Sequence, residues 1–170
     1  MRNTVKNSKL IATSWLVISC AAFGQSSVGP NYEDILNGFS DPTRWLTYSG
    51  DYSGRRHSPL TQITPKNIGD LRSIWTFQSG TTTRGRGWEG TPLLDDGVLY
   101  VTGSNNYAWA LDARTGRPFW EYRRNLPDDL TYGASAPVNR GFGMLGNQLF
   151  MVTLDAVSYT HLTLPTICSV

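Results

Sequence analysis

Charge is scarce in this chain. Asp, Glu, Lys and Arg make up 16% of its 170 residues, and the formal net charge is +2. No basic stripe is visible, so nucleic acid is not an expected partner. Cysteine is nearly absent. Cys20 and Cys168 are the two, and both lie in segments outside the expected mature domain, so neither a disulfide framework nor a cysteine metal site is predicted. No long apolar run is present either: the candidate over residues 10–22 falls short of the ~20 residues that a membrane-spanning helix needs. What the chain has in quantity is aromatic and turn-forming residues, with six Trp, eight Tyr, seventeen Gly and nine Pro. That composition predicts an all-β protein rich in turns.

Residues 1–24 read as a secretory signal. Arg2, Lys6 and Lys9 form a basic start, an apolar stretch holds Ile11, Trp15, Leu16, Val17 and Ile18, and Ala22-Phe23-Gly24 is a small-x-small cleavage site before Gln25. A competing reading takes Val17-Ile18-Ser19-Cys20 as a bacterial lipobox, with cleavage before Cys20 and a lipid anchor on its thiol. Both readings export the domain, as a periplasmic protein or as a membrane-anchored lipoprotein. Residues 25–44 are expected to form a linker and a short helix. The helix is predicted over 31–40, where Tyr32, Ile35, Leu36 and Phe39 recur at helical spacing and Gly38 weakens the end. A second short helical piece is expected near 67–71, after Pro65.

The most informative stretch is ALDARTGRPFW, residues 110–120. It follows an alternating run, Val98-Leu99-Tyr100-Val101-Thr102, that opens at Asp95-Asp96-Gly97. The expected geometry is a strand ending at Ala110-Leu111, a tight turn from Asp112 to Gly116, and a strand carrying Trp120. Asp can accept hydrogen bonds from the backbone of its own turn, and Gly supplies the positive φ that such turns use. The Trp120 indole N–H needs a partner when buried. Weak repetition supports successive hairpin units. The run from Gly97 recurs from Asn147 at an offset of 50, and Thr91-Pro92-Leu93 recurs as Ala136-Pro137-Val138 at 45. Repeats of roughly 40–50 residues are the period of propeller blades. Residues 85–90, GRGWEG, match G-x-G-x-x-G formally. A dinucleotide site is rejected, because no clear strand precedes them and Thr91-Pro92 follows where a helix should open.

Several segments together resemble one family. They are WLTYSGDYSGRRHSPL at 45–60, ITPKNIGDLRSIW at 63–75, TFQSG at 76–80, EGTPL at 89–93, the hairpin above, and VNRG at 138–141. They resemble the quinoprotein dehydrogenases of the methanol/ethanol group, which hold pyrroloquinoline quinone (PQQ). The resemblance implies an incomplete fragment of an eight-bladed β-propeller with tryptophan-docking motifs, over residues 45–156. A whole propeller of that kind needs ~320–400 residues. One complete blade and parts of two more are expected here, with apolar faces and sheet edges left open.

The resemblance also implies a site. Glu89 matches the glutamate that contacts PQQ, and Arg140 matches the arginine that pairs with the cofactor. Arg suits a tricarboxylic quinone through its fixed fork of donors. Many alcohol-oxidising members carry adjacent cysteines that pack on one face of PQQ. The matching positions here are Ala134 and Ser135, so that disulfide is missing, and Tyr132 is a candidate ring face in its place. The family's metal, Ca²⁺ or a lanthanide, and its catalytic Asp belong to later blades, so no catalytic or metal residue is assigned. His57 reads as a polar residue on an exposed loop, and Asp128-Asp129 as a solvated loop. The expected activity is oxidation of an alcohol or sugar hydroxyl to a carbonyl, with electrons passing to a cytochrome c or a membrane quinone. The fragment alone is expected to be inactive. A different class stays open: a non-enzymatic propeller lipoprotein acting as an assembly scaffold, favoured by Cys20 and the missing cysteine pair.

Residues 157–170 break the pattern. VSYTHLTLPT at 157–166 resembles a translated transposase-type sequencing adapter, and genuine coding sequence is expected to stop near Ala156. A second A-L-D-x-x-T-G-x-x-x-W hairpin should stand there instead.

Overall fold

The computed structural model describes residues 29–81, 88–124, 126, 138–155 and 158–163. Among them the chain builds two antiparallel sheets that pack face to face. The first has four strands in chain order: β1 (Leu93–Asp95), β2 (Val98–Thr102), β3 (Ala108–Asp112) and β4 (Pro118–Tyr122). The second has three: β5 (Gly143–Leu145), β6 (Gln148–Val152) and β7 (Ser158–Thr163). The pairs β1–β2 and β5–β6 repeat each other at the offset of 50 read from the sequence. The β1–β2 turn uses Asp96 and Gly97, both with positive φ, which suits the twist of a two-residue hairpin.

The hairpin at 110–120 forms as its residues dictate. Backbone N–H groups of Arg114 and Thr115 donate to the Asp112 carboxylate at 2.8 and 3.1 Å. The Arg114 N–H has the largest effect on that carboxyl and holds it below the usual carboxylate range. Gly116 adopts φ +72. The face of Trp75 lies over it: a Cβ on Gly116 would meet Trp75 Cε3 at 2.4 Å. The Trp75 indole N–H donates to the Ala113 carbonyl at 3.1 Å. A tryptophan from an upstream segment thus docks on this turn. The hairpin's own Trp120 has a buried Nε1 with no hydrogen-bond partner among the described residues.

The core lies between the sheets. Leu93, Val98, Tyr100, Ala108 and Ala110 of the first face Phe142, Met144, Leu149 and Met151 of the second. The Tyr100 phenol is pushed above its ordinary range by burial and by the charges of Asp95 and Asp96, so it stays neutral. The other face of β3 presents Trp109 and Leu111 to Phe77, Leu99 and Tyr107. Residues before the sheets cover part of this body. Trp45 exchanges backbone hydrogen bonds with Leu94 at 2.8 and 2.9 Å, Arg44 pairs with Asp95 at 2.7 Å, and Leu46 and Ile35 enter the core. The outer side of the second sheet is open, with Val152 70% and Leu145 47% exposed. These are the uncovered apolar positions expected of a partial propeller.

One expectation needs correction. The helix predicted over 31–40 is α1 (Tyr32–Leu36), opened by a capping box between Asn31 and Asp34. It stops early because Gly38 belongs to a close backbone contact: a Cβ there would meet the Gly50 carbonyl oxygen at 2.2 Å. The short helical piece expected near 67–71 is present, as one 3₁₀ turn (Ile68–Asp70). Within the segment read as adapter-derived, Ser158–Thr163 pairs with β6 as β7. Its sequence holds β-forming residues, and any such stretch reaching the open edge of β6 can pair there.

Candidate functional site

Two chain segments meet where the sheets begin. Trp88-Glu89-Gly90 leads into β1, and Asn139-Arg140-Gly141 leads into β5. Their backbones are in close contact. A Cβ on Gly90 would meet Thr102 Oγ1 at 2.6 Å, the Gly141 N at 3.2 Å and the Asn139 carbonyl oxygen at 3.4 Å. Gly141 has φ +113, and a Cβ there would meet the Thr91 carbonyl oxygen at 3.3 Å. Only glycine fits both places without displacement.

This contact brings together the two described residues of the predicted site. Arg140 Nη2 lies 3.1 Å from Glu89 Oε2, with side-chain exposures of 73% and 25%. An ion pair that open contributes only about 0–1 kcal/mol to stability. Its value is placement: one edge of the guanidinium rests on Glu89 and most of the fork stays exposed. Such a fork is matched to a carboxylate or phosphate approaching from outside.

Aromatic packing fixes the Glu89 side. The Trp88 ring stacks on Trp109 with centroids 5.3 Å apart and planes 8° from parallel. Phe77 and Tyr107 meet Trp109 edge-on at 5.5 and 6.2 Å. Gly103 makes room, since a Cβ there would meet Trp109 at 2.8 Å and Trp88 at 3.1 Å. On the Arg140 side, the Asn139 side chain is buried and accepts from the Gly141 N–H at 2.9 Å.

Ala134 and Ser135, the other predicted cofactor contacts, lie outside the described residues, as do Tyr132, Asp128, Asp129, Cys20 and Cys168. His57 is exposed, as its loop reading required. Glu89-Gly90-Thr91-Pro92 opens a strand and not a helix, which agrees with rejecting a dinucleotide site. Among the described residues, no three His, Cys, Asp or Glu side chains are grouped to hold a metal. No helix among them is long and apolar enough to cross a membrane. Sequence reasoning missed Asn106, which contacts Asn139 from 33 residues away, and the docking of Trp75. The Trp75 dock had a signal, a second Trp ahead of the D-x-x-T-G turn; Asn106 had none, because a loop asparagine is ordinary.

Comparison with known proteins identifies the family. The family model for the PQQ β-propeller domain of glucose/ethanol/alcohol dehydrogenases matches residues 45–156. The chain is 36% identical over 147 residues to the quinoprotein alcohol dehydrogenase PedH of Pseudomonas putida, covering 86% of this chain and 24% of that protein. It is 40% identical over 125 residues to the 1-butanol dehydrogenase (quinone) of Thauera butanivorans, covering 74% of this chain and 20% of that one. Among solved structures, a europium-containing methanol dehydrogenase superposes with a TM-score of 0.64 at 31% identity, over 72% of this chain and 22% of its own. The chain therefore spans a quarter or less of the length of these relatives. With two sheets, a docked tryptophan and a family match across residues 45–156, it belongs to the PQQ β-propeller family of alcohol dehydrogenases, as a partial propeller.

Proposed function

We propose that this chain is the N-terminal part of an exported PQQ-dependent dehydrogenase that oxidises an alcohol hydroxyl to a carbonyl. One observation carries the reading: Glu89 and Arg140, 51 positions apart, are held at 3.1 Å by a contact that only glycines at 90 and 141 allow. The residues fit the cofactor by their chemistry. PQQ carries three carboxylates, and Arg140 offers an exposed, pre-oriented fork of N–H donors. Arg140 would pair with a carboxylate of PQQ, and Glu89 would hold the guanidinium in plane and face the cofactor. Next to Glu89 in the chain, the Trp88 ring is stacked on Trp109. PQQ, when bound, supplies the two-electron oxidant for the alcohol. Ala134 and Ser135 would leave one face of the ring to smaller side chains than the cysteine pair does.

The metal is proposed as Ca²⁺ or a lanthanide, the latter in line with the europium-containing neighbour. The proposed electron acceptor is a cytochrome c or a membrane quinone, in keeping with neighbours named as quinohemoprotein alcohol dehydrogenases. Alcohols are favoured over sugars as substrates, because the relatives are named for alcohols. The site of action would be the periplasm. The test is reconstitution of the full-length protein with PQQ and Ca²⁺ or La³⁺, followed by alcohol-dependent reduction of an artificial dye. Turnover of primary alcohols is expected. A protein that binds no PQQ and reduces no dye contradicts the reading and favours a scaffold.

A further inference from the structure

We propose that Asn139 and Asn106 form a buried amide clamp that positions Arg140 against Glu89. The clamp thereby sets the affinity of the site for its carboxylate-bearing ligand. Both are positioning residues, and the link to PQQ rests on the function proposed above.

Asn139 is 5% exposed and Asn106 is fully buried. Asn139 Nδ2 donates to the Val152 carbonyl of β6 at 3.0 Å and to Asn106 Oδ1 at 3.3 Å. Asn139 Oδ1 accepts from the Gly141 N–H at 2.9 Å. Asn106 Oδ1 also accepts from the Leu154 N–H at 3.3 Å. Two side-chain amides therefore tie the β2–β3 connection of the first sheet to the end of β6 in the second. They also grip the backbone on both sides of Arg140. The backbone that carries Arg140 cannot shift relative to Glu89 without breaking one of these bonds or opening the Gly90–Gly141 contact.

The arrangement is costly, which argues against a mere filler role. Asn106 holds φ +59 directly after Asn105 at +58, a backbone region that glycine adopts without strain. Its Nδ2 is buried with no hydrogen-bond partner among the described residues. A buried donor left unpaired is destabilising. Glycine at 106 would relieve both costs, yet it would remove the acceptor that orients Asn139. Strain and an unpaired polar group together are a pointer to function.

The clamp could hold the sheets together without affecting Arg140. A double-mutant cycle on the full-length apo protein separates the two roles, read as the PQQ dissociation constant from quenching of tryptophan fluorescence. Asn106→Gly suits the local φ and removes only the amide. It is expected to raise the constant about tenfold, equivalent to about 1.4 kcal/mol. In an Arg140→Ala background the same change is expected to add less than about twofold, since coupled sites are non-additive. Equal losses in both backgrounds overturn the proposal. If the parent itself binds no PQQ, the cofactor reading fails separately. Crystal structures of the parent and Asn106→Gly then decide the clamp. Departure of Arg140 from Glu89 supports it, and an unchanged ion pair refutes it.

Discussion

Two glycines with the same φ give a controlled test of the tryptophan dock. Gly116 and Gly97 both have φ +72 and both close hairpin turns. A Cβ on Gly97 meets nothing within 4 Å, whereas one on Gly116 would lie 2.4 and 2.7 Å from Trp75 Cε3 and Cδ2. Gly97→Ala therefore suffers only the left-handed strain of an L-residue, about 1–2 kcal/mol. Gly116→Ala suffers the same strain and must also push the Trp75 ring away by about 1 Å to regain an ordinary carbon–carbon distance. That movement breaks the 3.1 Å bond from Trp75 Nε1 to Ala113, worth about 0.5–1.5 kcal/mol net. The expected total is about 1.5–3.5 kcal/mol before any lost ring packing. Urea unfolding of the full-length protein and both variants, followed by tryptophan fluorescence, reads the difference. Gly116→Ala should unfold at the lower urea concentration, and Trp75→Phe should reproduce much of the excess. Equal destabilisation by the two alanines would refute the docking argument.

Other predictions address the site and the turns. Gly90→Ala should weaken PQQ binding, because overpacking of about 1–3 kcal/mol falls on the contact that joins Glu89 to Arg140. Adding Thr102→Ala removes the nearest clashing atom and should restore part of the affinity in the same titration. The Asp112 carboxyl is lowered chiefly by the Arg114 N–H, and the Asp155 carboxyl chiefly by the Thr153 hydroxyl and then by Arg124. A depressed folded value means stability that is complete above the unfolded carboxylate range, about pH 4, and is lost as pH falls through the folded value. The urea midpoint should therefore be flat between about pH 7 and 5 and fall below about pH 4, with a shallower acid slope in Asp112→Asn. Arg124→Ala should loosen the junction of the sheets, since Arg124 Nη2 lies 2.5 Å from Asp155. Faster hydrogen exchange near residues 152–155 would record it.

Much of the fold was legible because local chemistry specified it. The turn at 112–116 needs an acceptor at Asp112 and a positive φ at Gly116, and both residues announce themselves. The β1–β2 and β5–β6 hairpins follow from alternation and from their offset of 50. Helix α1 was overextended because apolar spacing continues to Phe39, while the fact that ends it, Gly38 against Gly50, is a contact across the chain. The candidate site was half legible. Glu89 and Arg140 could be named from resemblance, but their meeting depends on Gly90 and Gly141 touching across the sheets. Asn139 has a local bond to the Gly141 N–H, but its pairing with Asn106 carries no local signature, since the partners of Asn106 lie 33 and 48 residues away.

The most direct test of the central claim is PQQ binding to the full-length apo protein, with and without Arg140→Ala. Saturable quenching by PQQ in the parent, weakened by about tenfold or more in the variant, is the expected result for loss of a charge-assisted fork. Arg140→Lys should recover only part of it, since a point charge lacks the planar pair of donors. Absence of binding in the parent, or equal affinity in Arg140→Ala, would contradict the account.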